Sequence, residues 1–232
     1  MTSRFAAQIR PASGLSVVDS RSVHERIYDE VRIGLSQGLF TPGQTLTTRG
    51  LAATFGTSEM PVREAIRRLV AEKYIVQMSN RSYQVPTMDA DAFRDVISVR
   101  MVMERFAAAV AASKAKAEDV ARLRALNDKM RLAIEAHDGQ ETLRLNEEFH
   151  FAVYAVTGSE TLLDTIETLW SRSGPYLASV VILDGELSVF HKAFDMHSRL
   201  ISAIESGDQG AAEEALAADV RFAVEWYLER RS

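Results

Sequence analysis

The distribution of proline is the feature that most constrains what this chain can fold into. Four of its five prolines precede residue 87, and residues 87–232 contain only Pro175. Because proline breaks or kinks helices, a long stretch with a single proline can be helical nearly throughout. Apolar residues there recur at helical spacing in six amphipathic segments, which predicts an all-α helical bundle over residues 87–232. Breaks between the segments are predicted at Asp138-Gly139, Gly158, Gly174-Pro175 and Gly207-Asp208.

Composition limits the class of protein. Apolar residues make up 47% of the 232 residues and charged residues 25%, as in ordinary globular proteins. The chain has no cysteine, which excludes disulfides and thiolate metal sites. Its longest apolar run, FAAAVAA, is far shorter than the roughly 20 residues of a membrane helix. Residues 1–20 lack the hydrophobic centre of a signal peptide, so we expect a mobile tail there and a cytoplasmic protein.

Charge is distributed unevenly along the chain. Residues 1–87 contain 11 Lys and Arg against 7 Asp and Glu, whereas residues 88–232 contain 16 against 25. The total is therefore −5, although the first part is basic. This asymmetry indicates two units, of which only the first suits a polyanion such as nucleic acid.

Residues 21–86 have the pattern of a winged helix-turn-helix. Apolar residues at helical spacing, from Val23 to Leu35, predict a first helix. Thr47 is placed to cap a second short helix and Ser58 a third, in whose first turn Pro61 is tolerated. After the third helix the period changes, and the segments YIVQM and YQV predict two strands that would form a wing.

The third predicted helix concentrates arginines on one face. Its apolar residues, such as Val62 and Ile66, form an inner face and leave Arg63 and Arg67 on the outer one. A helix fits the major groove, where an arginine can bind guanine bidentately while neighbouring cations contact phosphates. The alternative is a solvated helix face whose charges pair along the helix.

The segments GLFTPGQTL and RGLAATFGTSEMPVREAIRRLVAEKYI resemble the N-terminal domain of the GntR family of bacterial transcription regulators. PVREAIRRL matches the recognition helix of that family residue for residue. The resemblance implies that Arg49 contacts DNA at the groove edge and that Arg63 reads a guanine. The other positions it places at the DNA are Ser58, Glu59, Met60, Pro61 and Arg67 on the recognition helix, and Asn80 and Arg81 at the wing tip.

Two positions depart from the family pattern. Glu59 stands where arginine is usual, and Ser82 stands where the wing usually has glycine. A glutamate can accept a hydrogen bond from cytosine, although phosphate repels it. Its other role is that of a first-turn acid favoured by the helix dipole. The sequence leaves both roles of Glu59 open.

Arg100 stands out in the second unit because it lies in the apolar stripe of its helix. A buried guanidinium needs an anionic partner. Glu104, four residues later, can supply one within the helix. The alternative partner is the carboxylate of a bound ligand, which matches the fork of an arginine.

Two histidines, His150 and His197, lie among apolar residues of separate predicted helices. Histidines in such surroundings are commonly hydrogen-bonded core residues. Together with Asp219, and with Asn146 one turn before His150, they can instead converge on a metal ion. Sequence spacing alone does not establish that convergence.

The segments VISVRMVMERFAAAVAA, NEEFHFAVYAVTGSETLLDTIETLW and HSRLISAIESGDQGAAEEALAADV resemble the FCD ligand-binding domain of the FadR subgroup of GntR regulators. The resemblance implies that Arg100 binds an acidic effector and that four positions hold a divalent metal: Asn146, His150, His197 and Asp219. Asn146 replaces an aspartate of the family pattern, and Asp219 replaces a histidine. The remaining donors still suit Zn²⁺, Ni²⁺ or Mn²⁺, whereas loss of a strong ligand would leave a metal-free polar pocket.

We therefore predict a mainly α protein, with an N-terminal winged helix-turn-helix over residues 21–86 followed by an FCD-like all-α bundle over residues 87–232. Its expected function is regulation of transcription at a DNA operator, as a repressor by family habit, with a small organic acid as effector. A homodimer would present two recognition helices to a near-palindrome. The alternatives are a helical metal-dependent hydrolase using His150, His197 and Asp219, and a helical adaptor without a small ligand.

Overall fold

The computed structural model describes residues 22–79, 82–185 and 187–231, and within these ranges it contains nine helices and three short strands. The first part, called the head, comprises α1 (Val23–Ser36), β1 (Thr45–Leu46), α2 (Thr48–Thr54), α3 (Glu59–Ala71), β2 (Val76–Gln77) and β3 (Tyr83–Gln84). The second part, called the bundle, comprises α4 (Ala90–Lys114), α5 (Ala117–Glu135), α6 (Gly139–Ala155), α7 (Glu160–Asp184), α8 (Ser188–Ser206) and α9 (Gln209–Arg231). The tail predicted over residues 1–20 and the wing-tip residues Asn80 and Arg81 lie outside the described residues.

The head has the three helices and the hairpin that the sequence predicts. Thr47 caps α2 by accepting a hydrogen bond from the backbone N–H of Gly50 at 3.0 Å. Gly56, with a φ of 61°, makes the tight turn between α2 and α3. Ser58 occupies the cap position of α3, but its side chain makes no capping hydrogen bond within the described residues. The predicted capping by Ser58 is therefore wrong.

The sheet of the head is smaller than its sequence suggests and includes one strand more. Its antiparallel order is β1-β3-β2, and each strand has two residues. The β2-β3 hairpin is the predicted wing. Strand β1, which the sequence analysis missed, pairs Thr45 with Gln84 and Leu46 with Tyr83. This pairing fastens the wing to the segment between α1 and α2.

The six predicted helices of the bundle are all present. Helix α4 packs against α7, α8 and α9, and α5 packs against α6 and α8. Large side chains such as Phe93, Phe149 and Tyr154 are buried in one continuous core. None of the described helices combines the length and the apolar character needed to cross a membrane.

The predicted break at Gly174-Pro175 is wrong, because α7 continues through both residues to Asp184. Pro175 removes one backbone hydrogen bond, but α1 and α4 both pack against α7 and outweigh that loss. Gly174 serves packing instead. A Cβ at this position would lie 2.8 Å from the Cα and the carbonyl oxygen of Ser36.

The head and the bundle meet where α1 ends against α6 and α7. Arg32 forms an ion pair with Glu167 of α7. The Ser36 hydroxyl donates to the carboxylate of Glu147 in α6 at 2.8 Å. These contacts, together with the close approach at Gly174, place the last turn of α1 directly on the bundle.

One apolar strip of α4 lies on the surface. Val96 and Ala107 are buried, but Val99, which the helical period assigns to the same apolar face, is exposed. Val102 and Phe106 continue this strip with 68% and 59% of their surface exposed. Exposed apolar side chains in a row are typical of a protein-protein contact.

Candidate DNA-binding surface and ligand cavity

Helix α3 has its buried and exposed faces where the sequence predicts them. Val62, Ile66 and Leu69 are fully buried in the core of the head. The side chains of Arg63 and Arg67 are 55% and 73% exposed. The outer face of α3 is therefore accessible to a DNA duplex.

The two exposed arginines pair with glutamates of the same helix. Arg63 donates to Glu59 at 2.8 Å, and Arg67 donates to Glu64 at 2.7 Å. Exposed pairs of this kind add little to stability and leave other N–H donors of each guanidinium free for a phosphate or a base. Pairing along the helix is therefore compatible with a contact between this face and DNA.

A third arginine, Arg68, has a structural role. It donates to Glu72 at 2.9 Å, and its guanidinium carbon lies 3.8 Å from the ring centroid of Tyr28 in α1. The Tyr28 hydroxyl donates to the same Glu72. Burial and this hydrogen bond raise the pKa of the Tyr28 phenol. Arg68 therefore joins α3 to α1.

Most of the other predicted DNA contacts lie at the N-terminal ends of α2 and α3. Arg49, Ser58 and Met60 are exposed there, and Pro61 is partly exposed. Glu59 lies beside them, where hydrogen bonds from Arg63 and Thr48 lower the pKa of its carboxyl.

A cavity of about 80 Å³ lies inside the bundle. It has room for several water molecules or one small organic acid. Four of the polar side chains that line it are predicted site residues: Arg100, Asn146, His150 and Asp219. Most of its remaining wall is apolar and includes Phe190 and Val220. Ser36, at the end of α1, also lines the cavity, so the head completes its wall.

His150, His197 and Asp219 converge from α6, α8 and α9. The Oδ2 atom of Asp219 lies 3.1 Å from Nε2 of His150 and 3.6 Å from Nε2 of His197. The two Nε2 atoms are 3.3 Å apart, and all three residues are buried. The convergence that sequence spacing left open is therefore present for these three residues. Asn146 lines the same cavity one turn before His150.

A hydrogen-bond network determines which nitrogen of His197 carries its proton. Nδ1 of His197 lies 3.2 Å from the Oδ1 atom of Asn127. The orientation of Asn127 is set because its amide nitrogen donates to the Phe194 carbonyl and the Ser198 hydroxyl. The amide oxygen can only accept, so Nδ1 of His197 is the donor. A neutral His197 therefore directs the lone pair of Nε2 toward Asp219.

The same reasoning assigns the proton of His150. The Tyr154 hydroxyl donates to the carboxylate of Glu104 at 2.7 Å and lies 3.2 Å from Nδ1 of His150. Because the hydroxyl has one hydrogen, already given to Glu104, its oxygen accepts from His150. A neutral His150 thus also directs the lone pair of Nε2 toward Asp219.

Three electron-pair donors therefore face one another in a buried space. Burial lowers the pKa of His197. Burial alone would raise the pKa of Asp219, but a proton carried on an Nε2 atom of the two histidines outweighs burial and holds that pKa below its ordinary value. Three such donors repel one another unless a proton on His150 or a cation lies among them. An ionised carboxylate and neutral imidazoles are the forms in which these groups bind metals.

Arg100 is buried and already paired. Its Nε donates to Glu104 at 2.7 Å, its Nη1 donates to Ser173 at 2.8 Å, and its guanidinium carbon lies 4.4 Å from a Trp170 ring centroid. The intrahelical partner predicted from the sequence is therefore present. These two bonds use two of the five N–H donors of the guanidinium, and Arg100 also lines the cavity. The internal pair and an effector contact are compatible.

The sequence analysis missed the residues that orient this site. Asn127 and Tyr154 fix the histidines, while Trp170 and Ser173 complete the surroundings of the Arg100–Glu104 pair. Asn127 carried a usable signal, because it is a polar residue between the buried Leu126 and Met130. Tyr154 carried no such signal, since an aromatic residue on an apolar helix face is ordinary.

Comparison with known proteins extends these findings. Residues 23–85 match the bacterial regulatory proteins of the gntR family, and residues 95–222 match the FCD domain. The HTH-type transcriptional regulator McbR of Escherichia coli (strain K12) is 28% identical over 194 residues, 83% of this chain and 86% of that protein. The gluconate operon transcriptional repressor of Bacillus licheniformis is 25% identical over 190 residues, 79% and 76% of the two chains. The solved structure of E. coli McbR/YncC has a TM-score of 0.87 at 25% identity and covers 91% of this chain and 100% of that chain.

These matches cover both the head and the bundle. The relatives are transcription regulators and not enzymes, which argues against the hydrolase alternative. The FCD match alone spans more than half of the chain, and the gntR match spans the DNA-binding helices described above. The chain belongs to the GntR family of bacterial transcription regulators, in the FadR-like subgroup that carries an FCD domain.

Proposed function

We propose that this regulator represses transcription from a near-palindromic operator and that a small carboxylate in the bundle cavity weakens its DNA binding. The observation that carries the proposal is the wall of the cavity, which Ser36 of the head lines together with Arg100 and Asp219 of the bundle. A ligand there touches both parts of the molecule and can change how the head is held. A coupling free energy of about 1–3 kcal/mol between ligand binding and DNA binding would change operator affinity five- to 150-fold.

Repression is supported by similarity to the gluconate operon transcriptional repressors of two Bacillus species. We also propose that the protein acts in the bacterial cytoplasm, where operators are accessible to it. Arg63 is the residue proposed to read a guanine, since it is exposed on the outer face of α3. A bidentate arginine-guanine contact is worth about 1–3 kcal/mol of discrimination.

Selection from random-sequence DNA with the full-length protein tests this assignment. The Arg63→Ala variant is expected to lose most of its specific affinity while its melting temperature stays the same. Arg124→Ala, which removes an exposed cation of the bundle, is the matched control and should leave the selected sequence unchanged. Retained specific binding by Arg63→Ala would overturn the role of Arg63.

We also propose that the protein is a homodimer and that the strip of Val99, Val102 and Phe106 on α4 is part of its interface. The support is the exposure of these three apolar side chains, which follow one another at helical spacing along α4. Phe106→Glu should therefore give a monomer in light scattering. Leu132→Glu, at another exposed apolar position, is the control and should leave the mass unchanged. A dimer that persists in Phe106→Glu would exclude this strip.

A divalent metal fits the group formed by His150, His197 and Asp219. Two atoms bound to a tetrahedral ion at about 2.05 Å lie about 3.3 Å apart. The three separations of 3.1, 3.3 and 3.6 Å surround this value. We propose that these residues hold Zn²⁺, Ni²⁺ or Mn²⁺, with Asn146, which lines the same cavity, as a further ligand. An ion that accepts more than four ligands would still offer an open coordination position to a carboxylate.

Elemental analysis of protein purified without chelator or His-tag tests the metal proposal. About one equivalent of metal per chain is expected, and added Zn²⁺ should raise the melting temperature of a stripped sample. Asp219→Asn should abolish that rise, because the amide loses the negative charge. A metal-free protein whose melting temperature and effector affinity do not change when Zn²⁺ or Ni²⁺ is added would show that the site binds no metal.

The proposed effector is a small organic acid because the cavity is small and both Arg100 and His150 line it. Thermal melting with a panel of sugar acids, hydroxy acids, dicarboxylates and fatty acyl derivatives, with and without metal, tests this class. A small acid should raise the melting temperature, and fatty acyl compounds should not. The shift should shrink in Arg100→Lys, which keeps the charge but loses the planar fork. A panel without any shift would favour the helical adaptor.

A further inference from the structure

The carboxylate of Glu59 joins the two helices whose N-terminal ends face the DNA. Its Oε2 atom accepts a hydrogen bond from Nη2 of Arg63 at 2.8 Å, one turn further along α3. The same oxygen accepts a hydrogen bond from the hydroxyl of Thr48, at the start of α2, at 3.1 Å. The position of the Arg63 guanidinium is therefore set relative to both helices.

The neighbouring pair on α3 provides a contrast. Glu64 accepts from Arg67 at 2.7 Å, so the two pairs have nearly equal bond lengths and the same charges. The Glu64–Arg67 pair lies along α3 alone, three residues apart, whereas the Glu59–Arg63 pair is also bonded to α2. The contact with Thr48 distinguishes Glu59 from an ordinary surface acid.

We propose that Glu59 is a positioning residue for Arg63 and that it sharpens operator specificity without itself reading a base. This inference rests on the proposed reading of guanine by Arg63. A guanidinium has five N–H donors, and the bond to Glu59 uses one of them. Enough donors remain for a bidentate contact with the N7 and O6 atoms of guanine. A side chain already held in place loses less conformational freedom when it binds.

The negative charge of Glu59 also favours operator specificity. Its carboxylate lies close enough to Arg49 and Arg63 for both cations to lower its pKa. A negative charge between two DNA-facing cations weakens the attraction for phosphate, which is the same for every DNA sequence. The base contact of Arg63 then makes up a larger share of the binding energy. Glu59 would thus raise the ratio of specific to non-specific affinity by two routes.

Random-sequence selection with full-length variants, followed by Kd measurements on the selected duplex and on a shuffled one, tests the proposal. Arg63→Ala first identifies the guanine position that this arginine reads. Glu59→Gln should then weaken preference at that same position. It should also tighten non-specific binding severalfold and lower the ratio of specific to non-specific affinity about tenfold. Thr48→Val should lower the ratio by less and leave the salt dependence unchanged, because it removes no charge.

Glu64→Gln is the matched control, because it changes the net charge of α3 by the same amount without touching the bond to α2. It should leave the guanine preference intact. Equal effects of Glu59→Gln and Glu64→Gln would overturn the positioning role and leave only a charge effect. A changed preference at a base pair that Arg63→Ala does not affect would show that Glu59 reads a base. If the wild-type protein selects no sequence at all, the proposed DNA reading itself fails, and that outcome differs from both of these.

Discussion

The head and the bundle both contain a glutamate and an arginine four residues apart on one helix, yet the two pairs differ in every other respect. In the head, Glu59 and Arg63 meet at 2.8 Å with side chains that are 42% and 55% exposed. In the bundle, Arg100 and Glu104 meet at 2.7 Å with side chains that are 4% and 0% exposed. In the head, water or DNA can reach both partners of the pair. In the bundle, neither partner can be hydrated unless the helices separate.

The comparison shows that burial, and not pairing, decides what a charge pair does in this protein. The exposed pair of the head is accessible to a ligand as large as a duplex. The buried pair needs further hydrogen bonds, and Tyr154, Trp170 and Ser173 supply them from α6 and α7. The same network reaches His150 through Tyr154. The buried pair is therefore part of the frame of the bundle cavity, which Arg100 lines.

The largest expected effect is that of Glu104→Gln. This change leaves the Arg100 guanidinium buried without its anionic partner, which should lower the free energy of unfolding by about 3–5 kcal/mol. Urea unfolding followed by circular dichroism measures the loss. Glu59→Gln, the corresponding change in the head, should leave the unfolding midpoint almost unchanged. A loss below about 1 kcal/mol for Glu104→Gln would contradict the view that burial separates the two pairs.

The next effect concerns Asn127, which orients His197 for the proposed metal. Asn127→Leu keeps the volume but removes the acceptor of the Nδ1–H hydrogen bond, so Zn²⁺ affinity should fall about 10- to 100-fold. Calorimetric titration of stripped protein measures it. Ser198→Ala, which removes a partner of Asn127 but not of His197, is the control and should change the affinity less. Equal Zn²⁺ affinity in wild type and Asn127→Leu would contradict the assigned tautomer.

The sequence predicts the head better than the site in the bundle, because the contacts that define the head are mostly local. Turn residues and helical periods specify α1, α2 and α3, and the two faces of α3 follow from spacing alone. His150, His197 and Asp219 come from three helices. Their convergence depends on how those helices pack, which periodicity cannot report. The family resemblance, and not the spacing, predicted the set.

Two departures from the local sequence pattern have a common cause, which is that tertiary packing overrides local preference. Gly174-Pro175 is a strong local break signal, yet α7 continues because α1 and α4 pack against it. Val99 fits the apolar period of α4 but lies on the surface. In both cases the neighbouring helices determined the structure, and the sequence of α7 or α4 alone does not reveal which helices those are.

A smaller effect is expected at the junction of the head and the bundle. In an open helix, glycine to alanine adds roughly 0.5–1 kcal/mol of stability. A Cβ at Gly174 would instead lie 2.8 Å from the backbone of Ser36, so Gly174→Ala should destabilise the junction by about 1–3 kcal/mol. Gly210→Ala is the control, because its Cβ would meet only the Asp208 carboxylate, at 3.6 Å. Thermal unfolding distinguishes them, and equal gains in both variants would contradict the close contact between α1 and α7.

The smallest effect is expected from an exposed charge pair of the bundle. This pair distinguishes the effect of burial from the effect of lying in the bundle. Arg124 of α5 and Glu205 of α8 meet at 2.5 Å with side chains that are 52% and 55% exposed. If burial determines how much a charge pair contributes to stability, Glu205→Gln should change the free energy of unfolding by less than about 1 kcal/mol. That change should vanish in 1 M salt, where the screening length is about 3 Å. Urea unfolding at low and high salt measures both quantities. A salt-independent loss as large as that of Glu104→Gln would mean that charge pairs are fixed throughout the bundle, whatever their exposure.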